Sequence, residues 1–264
     1  MPDTPSYRDK KAFFSKVLTV YGRKPALAAL QDEQLQCHAL HLASNNRESG
    51  IISQLKEHAA RRGIPVREHG RAELARISKN GKQDQGVAVD IVCPAFTTLD
   101  NYLPSLHQAP ARRLLALDGI SNPQNLGMII RSAAAGGVDG IIWSRRGNAA
   151  LGPLVIKASA GTLYRAPLVT CAELPAALRE CRAHGVSICT LAADAPLSLF
   201  EYRPAGHCVY VLGNETEGVS AGARELAETA LSIPMANGVE SLNVAVTASL
   251  IAYAGLISDH HLVR

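Results

Sequence analysis

Leu114-Leu-Ala-Leu117, continued by Asp-Gly-Ile-Ser-Asn-Pro-Gln-Asn125-Leu-Gly-Met-Ile-Ile-Arg131, is the stretch that decides the fold. Leu114–Leu117 reads as a short apolar strand, and the Gly- and Pro-containing turn after it opens an amphipathic helix over 125–135. A second strand follows at Gly140–Trp143. Strand, turn, helix and strand in that order predict a parallel α/β unit, whose ligands bind at the carboxyl ends of the strands. The alternation continues with a helix at Leu174–His184 and strands at Ser187–Ala192, Val209–Leu212 and Leu231–Ile233. A long apolar helix over Leu242–Ile257 ends the pattern. The fold class is therefore α/β with a parallel sheet.

Upstream, residues 98–112 hold two prolines and end in a basic pair, which predicts a connection between two domains, 1–107 and 108–264. The first part alternates as well: helical at 24–31, extended at His38–Ala43, helical at Gly50–Arg62, and a buried strand at Gly86–Cys93. This predicts a small α/β domain. The 264 residues carry 27 Lys+Arg against 23 Asp+Glu, a formal charge of +4. The excess lies entirely before residue 108, where 15 basic residues face 11 acidic ones, with 12 of each in the remainder. A solvated basic surface accounts for this, and so does an anionic partner of the first domain.

With 47% hydrophobic and 19% charged residues, disordered and collagen-like classes are excluded. The six cysteines are scattered without a CxxC pair, so no zinc site or disulfide framework is expected, and reduced thiols in a cytoplasm are the natural reading. No apolar run approaches the length of a membrane span, and the polar start lacks a signal-peptide core.

The usual nucleotide fingerprints fail. Gly213-Asn-Glu-Thr-Glu-Gly218 has the glycine frame of a phosphate loop, but Val219-Ser220 stands where Lys and Ser/Thr belong. There is no GxGxxG after a predicted strand, no GxSxG and no HExxH. What remains is three turns, each following a strand. In the first, Asn125 is placed to cap the helix, and Arg131 either reaches back over the same rim or is a surface charge. In the second, Gly213 and Gly218 let backbone approach a ligand or simply make a turn, with Glu215 the candidate carboxylate on the buried side. In the third, Ile233 to Asn243, Ser241 caps the last helix and Asn243 falls in its first turn, beside free backbone N–H groups.

N-L-G-x-x-x-R (Asn125 to Arg131), L-G-N-E-x-x-G (Leu212 to Gly218) and I-P-M…S-L-N (Ile233 to Asn243) resemble, in order, the three signature motifs of the TrmH/SpoU family. These are S-adenosylmethionine-dependent RNA ribose 2′-O-methyltransferases of the SPOUT superfamily. Val155 to Gly161 resembles the family's segment between the first two motifs. More weakly, Val20 to Leu30 and Gln85-Gly-Val-Ala are similar to the L30e-like substrate-binding domain that often precedes the catalytic one.

The resemblance implies a deep trefoil knot in the catalytic domain, a rare exception to the rule against knotted chains. It implies a homodimer through that domain, with the final apolar helix as part of the interface or of the core. It implies S-adenosyl-L-methionine as cofactor, contacted by Leu191, Leu212, Gly213, Asn214, Gly218, Ile233, Met235 and Leu242. Asn125, Arg131, Glu215, Ser241 and Asn243 are its implied catalytic residues. A guanidinium is essentially always charged, so electrostatic stabilisation of a developing alkoxide is preferred to base catalysis for Arg131. The basic first domain is expected to bind RNA, ribosomal or transfer, through its phosphates. Asn122, Gln124 and Ala134 depart from the family pattern, leaving substrate positioning open. The alternative function is a SPOUT scaffold that binds RNA or cofactor without catalysis.

Overall fold

A computed structural model describes residues 5–48 and 50–261. The chain divides into two compact units at Ala95/Phe96, with Leu151–Pro153 grouping with the first. The boundary thus falls before the segment expected to link the domains. Residues 97–106 instead form a short edge strand, β5 (Thr97–Thr98) (the strands preceding it are β1–β4, below), a helical turn at Leu99–Tyr102 and a 3-10 turn at Leu103–Leu106. Leu99, Leu103 and Leu106 are buried in the second unit's core. Prolines suggested a linker, but Pro104 sits at the start of the 3-10 turn, where a missing N–H leaves no bond unmade.

The first unit runs α1 (Pro5–Ser15), β1 (Val17–Tyr21), α2 (Arg23–Gln31), β2 (Gln36–Ala43), α3 (Ile51–Arg61), β3 (Val66–His69), α4 (Arg71–Ser78) and β4 (Val87–Val92). Its four-stranded sheet has the order β1-β4-β2-β3. β4 is antiparallel to both β1 and β2, and β3 joins β2 in parallel. Ile52, Leu55 and Ala59 recur at helical spacing, so α3 buries one face, as α2 does through Ala26, Ala29 and Leu30. A chain of polar contacts crosses this sheet. Thr19 Oγ1 donates to Asp90 Oδ1 (2.7 Å), Asp90 Oδ2 meets His41 Nε2 (3.1 Å), His41 Nδ1 meets His69 Nε2 (2.9 Å), and His69 Nδ1 meets Glu73 (3.0 Å). Burial pushes the Asp90 carboxyl up, but hydrogen bonds from His41 and Thr19 outweigh it and hold the group below its ordinary value.

The second unit continues with α5 (Leu99–Tyr102), β6 (Arg113–Leu117), α6 (Pro123–Ala135), β7 (Gly140–Ser144), α7 (Pro153–Ala158), β8 (Leu168–Cys171), α8 (Leu174–Ala183), β9 (Ser187–Leu191), β10 (Leu197–Ser198), β11 (Cys208–Leu212), α9 (Ala221–Arg224), β12 (Thr229–Ser232) and α10 (Val244–His261). All pairings in its eight-stranded sheet, β10-β12-β9-β11-β6-β7-β8-β5, are parallel. β7 and β11 are buried along their whole length, as strands covered on both faces must be. Leu114, Ala116, Val209 and Val211 point to the side shared with Leu174, Ala177 and Leu178 of α8. α6 and α10 run side by side, since Asn125 meets Asn243 and, further along both helices, Ser249 Oγ bonds Ser132 Oγ (2.8 Å).

The chain builds β6, β7 and β8 outward in one direction, crosses back to lay down β9, and later inserts β11 between β9 and β6. The carboxyl edge around β6, β11 and β9 is therefore where the winding direction reverses, the place where open parallel sheets hold ligands. No helix among the described residues is long and apolar enough to cross a membrane.

Candidate active site

All three turns picked out in the sequence emerge on that edge, after β6, β11 and β12. The first is held by side chains on neighbouring loops. Asn148, beyond β7, donates from Nδ2 to Leu117 O (2.9 Å) and Ser144 Oγ (2.9 Å), and its Oδ1 accepts from Ile120 N–H (2.7 Å). Asp118 Oδ2 accepts from Ser220 N–H (2.7 Å), and Asn214 Nδ2 donates to Gly119 O (2.8 Å). These bonds tie the first turn to the second. Sequence reasoning missed Asp118 and Asn148. The Gly147-Asn148 pair was a visible turn signal, but its partners on the first turn, Leu117 and Ile120, lie some thirty residues away.

The cap of α6 is Asn122, not Asn125: the Asn122 carboxamide accepts from Gln124 N–H (2.8 Å) and Asn125 N–H (3.4 Å). Pro123 fills the first helical position behind it, which moves the helix start back from residue 125. Asn125 is thereby the third residue of the helix, buried at 7% exposure, with its carboxamide free for other work. Its Nδ2 donates to Glu215 Oε1, and its Oδ1 accepts from Asn243 Nδ2 (3.3 Å). Asn125 thus joins one residue from each of the three turns. Gly127, in the same motif, has a packing reason: a Cβ there would come within 2.5 Å of Ala158 Cβ and 2.7 Å of Val155 O.

Glu215 is exposed rather than on the buried side, because it stands at the tip of the 213–218 turn and reaches Asn125 from outside. That turn is closed by reciprocal backbone bonds, Asn214 N to Gly218 O (3.0 Å) and Gly218 N to Asn214 O (2.9 Å). A Cβ on Gly213 would lie 2.2 Å from the Gly218 carbonyl carbon, so this backbone approach requires glycine.

α10 begins at Val244, two residues after the expected start, and Asn243 rather than Ser241 caps it through Oδ1 accepting from Ala245 N–H (2.8 Å). Ser241 is exposed on the preceding turn. Arg131 lies well around α6 from Asn125. Six residues turn an α-helix by about 600°, leaving the two side chains some 120° apart. Arg131 stands exposed beside Met128, and among the described residues it makes no hydrogen bond or ion pair.

The residues expected to hold a cofactor occupy the carboxyl ends of three adjacent strands. Leu191 ends β9, Leu212 ends β11 with Gly213 next, and Ile233 follows β12. Leu191 and Ile233 are half-buried and Leu212 buried, an apolar floor at the strand ends. Gly218 takes a left-handed φ of 69°. Met235 and Leu242 are exposed apolar side chains, at 38% and 37%, on the turn above. The Asn214 carboxamide is already occupied by Gly119 O and by Thr216 N–H (2.8 Å).

The SpoU rRNA methylase family model matches residues 112–253, and a model described as RNA 2′-O ribose methyltransferase substrate binding matches 19–94. An uncharacterized tRNA/rRNA methyltransferase of Mycobacterium ulcerans is 32% identical over 233 residues, 88% of this chain and 74% of that one. The cofactor-bound SpoU methyltransferase AviRb from Streptomyces viridochromogenes superposes with a TM-score of 0.63 at 19% identity, over 98% of this chain and 95% of its own. A structure concerned with 2-OH methylation of C/U34 on tRNA is 28% identical, with a TM-score of 0.50 over 58% of this chain and 99% of its own.

Proposed function

The chain belongs to the SpoU rRNA methylase family of RNA methyltransferases, and from that premise we propose that it methylates a ribose 2′-hydroxyl in structured RNA, ribosomal before transfer RNA, using S-adenosyl-L-methionine. The observation that carries this is the Glu215–Asn125–Asn243 chain, which gathers the three motifs where the sheet reverses its winding. The cofactor's sulfonium supplies an activated methyl group when bound. Leu191, Leu212 and Ile233 offer an apolar floor suited to a purine, and Gly213, packed against the Gly218–Val219 backbone, lets the turn close tightly beside it. These residues fit the group. Asn125, oriented by Glu215 and Asn243, fixes the floor of the reaction site. The unengaged Arg131 guanidinium neutralises a nearby phosphate or the oxygen that loses its proton. Ser241 and Asn243 position the ribose.

The same proposal includes a trefoil knot around the inserted β11, a cytoplasmic setting, delivery of RNA by the residues before Ala95, and a homodimer. Val246, Tyr253 and Ile257 make an exposed apolar stripe on α10, at 47%, 43% and 55%, and Met128 adds 41% exposure on the adjacent α6. Such a stripe supports self-association. Arg131 borders it, one turn from Met128. The test is transfer of labelled methyl to RNA from cells lacking the protein, followed by mapping of ribose methylation. Arg131→Ala is expected to bind cofactor normally while losing about 100-fold or more of the methyl-transfer rate. Full transfer by that variant overturns the assignment, and methylation on a base overturns the ribose reading.

A further inference from the structure

α1 lies ahead of both segments that match the family, which begin at residues 19 and 112. It is an eleven-residue helix, a length that is marginal in water without tertiary packing. Residues 9–14 are all exposed. Phe13 and Phe14 are nevertheless adjacent on it, at 36% and 54% exposure. The Phe13 ring sits 4.8 Å from His38 on β2 at 62°, and Phe14 meets Phe13 edge-to-face at 5.3 Å and 80°. Three rings are thus held together with more than half of Phe14 open to solvent.

The charges around the rings are basic. Lys10 and Lys11 precede Phe14 by four and three residues, which places both on its side of the helix. Lys16 follows the helix, and Asp9 is the single acid within it. Aromatic rings interleaved with lysines are the surface that unpaired nucleic acid recognises: bases stack on the rings and phosphates meet the ammonium groups. A purely apolar partner would leave the lysines unmatched.

We propose that Phe13, Phe14 and His38, with Lys10 and Lys11, form a stacking platform for an unpaired base of the RNA substrate. The proposal rests on the reading of this chain as an RNA methyltransferase and adds a subsite built mainly on α1, ahead of the segments common to the family, with His38 its one member inside them. The platform selects single-stranded or looped RNA, because a base inside a duplex has no free face to stack.

The experiment is fluorescence anisotropy with the full chain, a labelled single-stranded oligoadenylate and a fully paired RNA duplex of equal length, at matched salt. Phe14→Ala is expected to weaken single-strand binding about tenfold, leave duplex binding unchanged, and keep the wild-type thermal unfolding. Phe14→Trp restores the affinity. Lys10→Ala with Lys11→Ala weakens both RNAs and flattens the salt dependence. Single-strand affinity unchanged in Phe14→Ala overturns the platform while leaving the RNA reading standing. So does a Phe14→Ala protein that changes only its sedimentation, which assigns the rings to a second copy of the chain. A wild-type protein that binds neither RNA overturns the underlying reading as well.

Discussion

Adding a single methyl group at Gly213 tests whether the 213–218 turn is the cofactor's cradle. A Cβ there would lie 2.2 Å from Gly218 C, 2.4 Å from Gly218 O and 2.3 Å from Val219 N. Carbon contacts are comfortable only near 3.5–4.0 Å, so the facing backbone must retreat by more than about 1 Å. That backbone is held by the two bonds between Asn214 and Gly218. Losing both costs about 1–3 kcal/mol, the same range as overpacking a tight site. If only the closed turn binds cofactor and the added methyl leaves it about 2 kcal/mol above the open one, its population is about 3% and apparent affinity falls roughly 30-fold. Gly213→Ala should therefore bind S-adenosylmethionine some 30-fold more weakly in titration calorimetry. Gly218→Ala is the graded control. Nothing lies within 4 Å of its Cβ, but its φ of 69° disfavours alanine by about 1 kcal/mol, so a several-fold effect is expected. Wild-type affinity in Gly213→Ala, or a larger loss in Gly218→Ala, would refute this reasoning.

Three further outcomes follow from the geometry. Asn125→Ala removes the bonds to Glu215 and Asn243, and should lower the melting temperature by about 4–8 °C for a loss near 2 kcal/mol, with methyl transfer falling further than stability accounts for; calorimetry and an activity assay check both. Asp90 has a depressed folded-state pKa, so its stabilisation is present above the unfolded value near 3.9 and is lost as pH falls through the folded value. Asp90→Asn should accordingly flatten the acid limb of the first unit's melting profile, measured from pH 6 to about 2. Tyr253→Glu places a charge in the α10 stripe and should halve the mass found by light scattering, leaving the circular dichroism spectrum intact.

Local chemistry was legible in the sequence where it repeated within one element. The buried strands Leu114–Leu117 and Val209–Leu212 announced themselves as apolar runs between turn residues, and they fell within a residue of β6 and β11. Weaker elements escaped. The edge strand β3, Val-Arg-Glu-His, is exposed along most of its length and carries no apolar period. The 97–106 segment failed differently: its leucines carry a helical spacing, but Pro104 within it and Pro110 after it masked it.

The site divides along the same line. Motif order found the three turns, because glycines and asparagines after strands are signals of sequence. Which side chain does which job was set by pairings across 90 and 118 residues, from Asn125 to Glu215 and to Asn243. Asn122 is the sharpest instance. Read as a departure from a family pattern, it caps α6 through its carboxamide, the role expected of Asn125. Asn125, buried in the first turn of the helix, instead binds the other two motifs together.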